Sequence, residues 1–282
     1  MSQIALQTSG NGTESKRSAL VVELSKLPLF PAAALQLLRI PVESDTATAQ
    51  YEGVFKSDVG LAAELLLVVN SAAFGGRSRI DSIRHAIVFL GLERVKALAD
   101  TIAFCFYVRK APRIDYVRQI WSHAVATAIL AEKIGGLHGR TNGYTAGLMH
   151  DLGRLVMLKV AGPEYARELS DSFADIESAN QLEAVRFGLN HNEAGDEIAC
   201  QWGFPNNLRR CMAEHHVSSE SDTKNELADV RLACRMAEAL GYSELPNCPI
   251  SPSVAAELMV GSQLDQPELL NEIASRIAML DA

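Results

Sequence analysis

The sequence is short of the residues that brace a fold by means other than packing. Its five cysteines, Cys105, Cys200, Cys211, Cys234 and Cys248, are odd in number and include no C-x-x-C pair. That pattern suits reduced, buried thiols rather than a disulfide frame or a zinc ribbon. Apolar runs are short: Leu61 to Val69 is interrupted by Glu64, and Thr101 to Val108 is bounded by Asp100 and Arg109, far from the ~20 residues that span a bilayer. The first residues also lack the basic start and the roughly 7–15-residue apolar core of a secretory signal. A cytoplasmic protein with no membrane partner is the expectation. Positive charge is scarce as well, because 26 Lys and Arg face 34 Asp and Glu for a formal net charge of −8, which repels a phosphate backbone. The small cluster Arg109, Lys110 and Arg113 has no interleaved aromatics, so no nucleic-acid partner is expected. Runs of strict apolar–polar alternation flanked by hairpin turns, internal repeats and a glycine-rich phosphate loop are missing too.

What is present is ordinary globular material: 282 residues, 48% hydrophobic and 21% charged, enough for one large domain or two modest ones. From Ala19 onward apolar residues recur mostly at spacings of three and four, which predicts an all-α fold. Residues 1–17 are polar and without period and read as a flexible tail. Charges and Pro112 around Lys110 to Arg113 interrupt two helical runs. The chain therefore divides into an N-terminal helical lobe over 18–113, a helical domain over 114–245 and C-terminal helices over 246–282. Local punctuation agrees. Pro31 opens Ala32 to Leu38, Asp45 and Asp58 are placed as caps, Asn190 and Glu193 form a capping box, and Gly203 with Pro205 closes that helix. Pro252 and Pro267 stand at the first positions of two closing helices.

Six of the seven histidines fall after the division. His123 shares a helical stripe with Ile120, Thr127 and Leu130, so it points into the core, either as a hydrogen-bonded core histidine or as a ligand. His150 and Asp151 lie in Ala146 to Leu155, which reads as one helix in spite of Gly147 and Gly153, each costing ~1 kcal/mol relative to alanine. Glycines three residues to either side of His150 would let another helix approach closely, and the His-Asp pair can place an imidazole and a carboxylate around one ion. His191 occupies a first turn. His215 and His216 follow the helix Asn207 to Glu214, where they either complement its dipole or turn inward. His85 and His138 take no assigned role. Five histidines and one aspartate thus come from four helices, and imidazoles are costly to leave unpaired in a core.

Longer strings extend the pattern. Leu27-Pro28-Leu29-Phe30-Pro31, Ser57-Asp58-Val59-Gly60-Leu61, Val69 to Gly75, Ile83 to Ile87 and Leu90-Gly91-Leu92 precede Trp121-Ser122-His123, Ala146 to Gly153, Asn190 to Gly195, Trp202-Gly203-Phe204-Pro205 and Glu214-His215-His216. With these strings the chain, over roughly Leu24 to Tyr242, resembles the HDOD family, a bacterial relative of the HD phosphohydrolases and the HD-GYP cyclic-di-nucleotide phosphodiesterases. The resemblance implies a helical N-terminal lobe packed on an HD-like helical bundle. It also implies a metal site at His123, His150 and Asp151, with His191, His215 and His216 as added ligands.

Three departures qualify the enzyme-like part of that implication. Cys234 stands where HD enzymes carry a late Asp, Gln119 where HD-GYP proteins carry a Glu, and no Gly-Tyr-Pro follows His216. With five neutral imidazoles and Asp151 as the one anion, two divalent ions would leave three positive charges uncompensated. One ion is expected, of the transition class that imidazole prefers: Fe, Zn, Ni or Mn. Cys234 reads either as a thiolate ligand or as an inert buried thiol. The function expected is a regulatory, signal-transduction binding module with a degenerate HD metal site and a protein signalling partner. The alternative is a metal-dependent phosphohydrolase acting on a nucleotide or other phosphoester, in which Asp151 would be catalytic.

Overall fold

The computed structural model describes residues 4–71, 79–111, 115–170, 173, 175–217, 225–247 and 266–278. Among the described residues every regular element is a helix, as the spacing predicts. The first six are α1 (Ile4–Ser25), α2 (Ala32–Leu37), α3 (Ala47–Ser57), α4 (Val59–Val69), α5 (Ile83–Leu90) and α6 (Leu92–Arg109). The next seven are α7 (Asp115–Leu137), α8 (Gly143–Met149), α9 (Leu152–Leu169), α10 (Ile176–Phe187), α11 (His191–Trp202), α12 (Asn206–Glu214) and α13 (Glu226–Ala239). The last is α14 (Gln266–Ile277). The closing helix read from Pro252 lies outside the described residues. None of the described helices is long and apolar enough to cross a membrane. No disulfide joins Cys105, Cys200, Cys211 or Cys234.

The predicted caps form where their side chains reach an orphan amide. Asp58 accepts from Leu61 N at 3.0 Å. Asn190 and Glu193 satisfy each other's backbone N–H groups in a capping box, which fixes His191 in the first turn of α11. Gly203 ends α11 at φ +71°, the left-handed conformation a residue with a Cβ resists. Asp45 is not a cap, because α3 begins two residues later and Ala47 N is already bonded to the Ser44 carbonyl.

Two expectations change more. The aperiodic segment read as a tail through residue 17 is helical from Ile4. The reason is tertiary: Arg17 pairs with Glu193 at 3.1 Å, Lys16 donates to the Val185 carbonyl at 2.8 Å, and Leu20 and Leu24 are buried. The single helix read through Ala146 to Leu155 is two, α8 and α9, broken at His150-Asp151. In one continuous helix adjacent side chains diverge by ~100°, whereas the break lets both turn into the same pocket.

Two apolar cores share one wall. Leu37, Tyr51, Phe55, Leu61, Leu65 and Ala86 pack with Leu98 and Ile102 of α6. The opposite face of α6, through Phe104, Tyr107 and Val108, joins the larger core around Trp121, Leu130, Leu155, Ile198, Met212 and Met236. At the seam Phe30 lies within 5.8–6.1 Å of the rings of Tyr107, Trp202 and Phe204. The Trp202 to Pro205 string and Leu27 to Pro31 therefore serve packing.

Glycine sets the spacing around the histidines. A Cβ on Gly147 would lie 2.7 Å from the Thr127 carbonyl oxygen of α7, and one on Gly143 would overlap the Ala131 carbonyl. One on Gly153 would overlap the His191 carbonyl oxygen and lie 2.7 Å from Gly195 N of α11. The close approach expected of Gly147 and Gly153 is present on both sides of His150.

Candidate metal centre

Three buried imidazoles have one nitrogen committed and one bare. His123, on α7, has Nδ1 2.8 Å from the Tyr242 carbonyl oxygen; His150 has Nδ1 2.6 Å from Gly147 O; and His215, after α12, has Nδ1 3.0 Å from Met212 O. A carbonyl only accepts, so each Nδ1 carries the proton and each Nε2 presents a lone pair. Burial pushes the His150 imidazole down to about 3, with the His123 ring adding to it, and lowers His123 and His215 for the same leading reason. All three stay neutral near pH 7. His123 Nε2 and His150 Nε2 then face each other at 3.1 Å, and His215 Nε2 is buried without a hydrogen-bond partner. The Cys234 thiol, from α13, lies 3.5 Å from His123 Nε2. This half of the pocket offers electron pairs and no resident cation.

The other half has its cation built in. Arg154, one turn beyond Asp151 and fully buried, donates from Nη1 to Glu183 Oε1 at 2.8 Å and from Nη2 to Glu244 Oε1. Its Nε lies 3.4 Å from Asp151 Oδ2, and its Nη2 lies 3.2 Å from His191 Nε2. Glu183, from α10, also accepts from His191 N at 2.7 Å, from His191 Nδ1 at 2.8 Å and from the Tyr165 hydroxyl at 2.6 Å. Glu244, in the loop after α13, lies 3.1 Å from His216 Nε2.

Burial works against the Glu183 carboxylate, yet His191 and Arg154 outweigh it and hold it at about 2. Glu244 is likewise driven well below the usual range against burial, by Arg154 and then His216. Asp151 goes the other way. Burial first and the Glu244 charge second raise it well above its ordinary value, and neither of its oxygens has a hydrogen-bond donor.

All six residues singled out in the sequence meet here. The His150 and His215 ring centroids are 4.9 Å apart, those of His191 and His216 5.3 Å, and His191 Nε2 is 3.7 Å from Asp151 Oδ1. Three groups have the spacing of metal ligands, with one donor atom from each member within 4.8 Å of the others: His123, His150 and Cys234; His191, His215, His216 and Glu244; and Cys234, Glu238 and Glu244. His138 is elsewhere, 3.0 Å from Asp229 beside Arg140, and His85 lies near Asp81 on α5. Gln119 donates to the Ser243 carbonyl at 3.1 Å, so its amide braces the loop that carries Glu244.

The residues fit a transition ion. Imidazole nitrogens with bare lone pairs, a thiol and an unbonded carboxylate form a borderline donor set. A divalent ion together with the Arg154 charge would balance the Asp151, Glu183 and Glu244 carboxylates. Arg154, Glu183 and Glu244 went unread in the sequence. Arg154 had a signal, since it falls one turn past His150 on the same side of the chain; Glu183 and Glu244 had none.

The HDOD domain matches residues 27–218 of this chain. Among solved structures, an HDOD domain protein of unknown function from Geobacter sulfurreducens is 23% identical, with a TM-score of 0.69 over 94% of this chain and 96% of that one. A candidate phosphohydrolase from Shewanella amazonensis SB2B is 22% identical, with a TM-score of 0.67 over 94% and 99%. At those identities the likeness carries the fold. An uncharacterised protein of Treponema pallidum is 25% identical over 209 residues, which span 72% of this chain and 40% of the relative's length.

Proposed function

The chain belongs to the HDOD family, and from that premise we propose that it is a regulatory binding module of signal transduction that holds one divalent transition ion without fast hydrolysis. The observation that carries this reading is Arg154. Its guanidinium engages or adjoins Glu183, Glu244 and Asp151, so the protein already sets one positive charge against the three carboxylates and ties up two of them in hydrogen bonds. His123, His150 and His215 would hold the ion, with Asp151 3.7 Å from the neighbouring His191 and with His191 and His216 tied to Glu183 and Glu244. A bound ion of this class supplies Lewis acidity toward an oxygen ligand. Glu183 and Glu244 are held by Arg154, so beyond Asp151 no carboxylate of the cluster is free to orient an attacking water. The exposed Val59, Leu67, Val88 and Phe89 of the N-terminal lobe are the side chains a protein partner would cover.

A metal-dependent phosphohydrolase is the second reading, favoured by the unbonded Asp151 carboxylate beside the imidazoles. Metal-loaded protein offered nucleoside phosphates, cyclic dinucleotides and an aryl phosphate should show no turnover in the usual ~1–10³ s⁻¹ range. Turnover in that range, abolished by His150→Ala, would reverse the order of the two readings.

Metal content tests the ligand set independently of activity. His150→Ala should lower bound metal, measured by mass spectrometry of the purified protein, to a small fraction of the wild-type value. His138→Ala should leave it unchanged, because His138 pairs with Asp229 outside the pocket. Equal metal in both variants would remove His150 from the site.

A further inference from the structure

A one-ion site made of imidazoles leaves the third side of the His123–His150 pair unexplained, and that side is a sulfur. Cys234 is buried on α13, with Sγ 3.5 Å from His123 Nε2, and one donor atom from each of His123, His150 and Cys234 lies within 4.8 Å of the other two. The simplest role for such a thiol is to donate its proton to His123 Nε2. That role cannot complete the geometry. Both imidazoles spend their Nδ1 protons on carbonyl oxygens, so two lone pairs converge at 3.1 Å, and one S–H can serve only one of them. Three donors from α7, the α8–α9 junction and α13, each fixed by close packing, leave room for one acceptor of electron pairs.

We propose that Cys234 is a protein ligand of the ion held by His123 and His150, making this a nitrogen–sulfur centre. The proposal rests on the one-ion reading above and sharpens it. On binding, the thiol releases its proton to solvent as the sulfur–metal bond forms, so the thiolate brings one negative charge among neutral imidazoles. The chemical class follows from the donor set: zinc, cobalt or ferrous ion over magnesium, calcium or manganese, which prefer oxygen.

Cobalt(II) reports sulfur ligation directly. Full-length protein stripped with a chelator and titrated with Co²⁺ should bind one equivalent by equilibrium dialysis and develop a near-ultraviolet sulfur-to-cobalt charge-transfer band. Cys234→Ser should lose that band, whereas Cys211→Ser should keep it. One equivalent bound by the wild-type protein without the band, or a band that survives Cys234→Ser, overturns the sulfur ligand and leaves the one-ion reading standing. No Co²⁺ bound by the wild-type protein overturns both. The wild-type spectrum decides the matter even if the serine variant folds poorly.

Discussion

Arg154→Met is expected to cost about 3–5 kcal/mol of unfolding free energy, the range for removing one partner of a buried ion pair. The whole stability of a domain is about 5–15 kcal/mol, so a large share of the molecules would unfold at moderate denaturant. The reason is geometric. Arg154, Glu183 and Glu244 are all 0% exposed, and the guanidinium bonds both carboxylates while lying 3.4 Å from Asp151. Methionine fills a similar volume but leaves two anions in a dry pocket, where they must take up protons or admit water. Removing the anions as well should restore part of the loss, so Arg154→Met with Glu183→Gln and Glu244→Gln should be more stable than Arg154→Met alone. Guanidinium unfolding curves measure both effects. An unchanged midpoint for the single variant would mean that the cluster is not ionised, and the charge argument for a single ion would go with it.

Among the described glycines, Gly153→Ala places its methyl group in the tightest spot and should be strongly damaging. Its Cβ meets the carbonyl oxygen of His191 and the backbone nitrogen of Gly195, and backbone cannot step aside as a flexible side chain can. Overpacking of this kind costs about 1–3 kcal/mol and occasionally more. The strain also lands on the site, since separating α9 from α11 moves His191 away from Arg154. Lower stability and lower metal content should therefore appear together. Gly136→Ala is the matched control: it lies in the last turn of α7 with nothing within 4 Å of its Cβ. There alanine's better helix propensity should stabilise by up to about 1 kcal/mol. If thermal melts and metal content show Gly153→Ala indistinguishable from Gly136→Ala, the close approach of α9 and α11 does not set the pocket.

The sequence carries the helices and their ends clearly where the signal is local. Asp58, the Asn190–Glu193 box and Gly203 each act on amides or carbonyls within a few residues, so reading them needs no knowledge of the fold. The six His and Asp side chains were legible because imidazole is rare and adjacent pairs mark a position. Glu183 and Glu244 were not, since glutamate on a polar helix or in a loop looks the same whether it faces water or a buried guanidinium. Their burial is decided by Arg154, 29 and 90 positions away. The break at His150-Asp151 was hidden for a related reason: its cause is the pocket, and the local sequence on either side continues the helical pattern. The helicity of the first residues has no local signature at all, because its partners are Val185 and Glu193.

That last arrangement has a consequence for how the protein is made. Arg17 and Glu193 are 176 positions apart, and at about 5–20 residues per second a ribosome takes roughly 9–35 s to travel between them. Through that interval the Leu20 and Leu24 faces of α1 have no α9, α10 or α11 to cover them, while the core of α3 to α6 is already complete in sequence. α1 is thus made well before the helices that cover it, and a nascent chain carries it as an uncovered apolar strip through that interval.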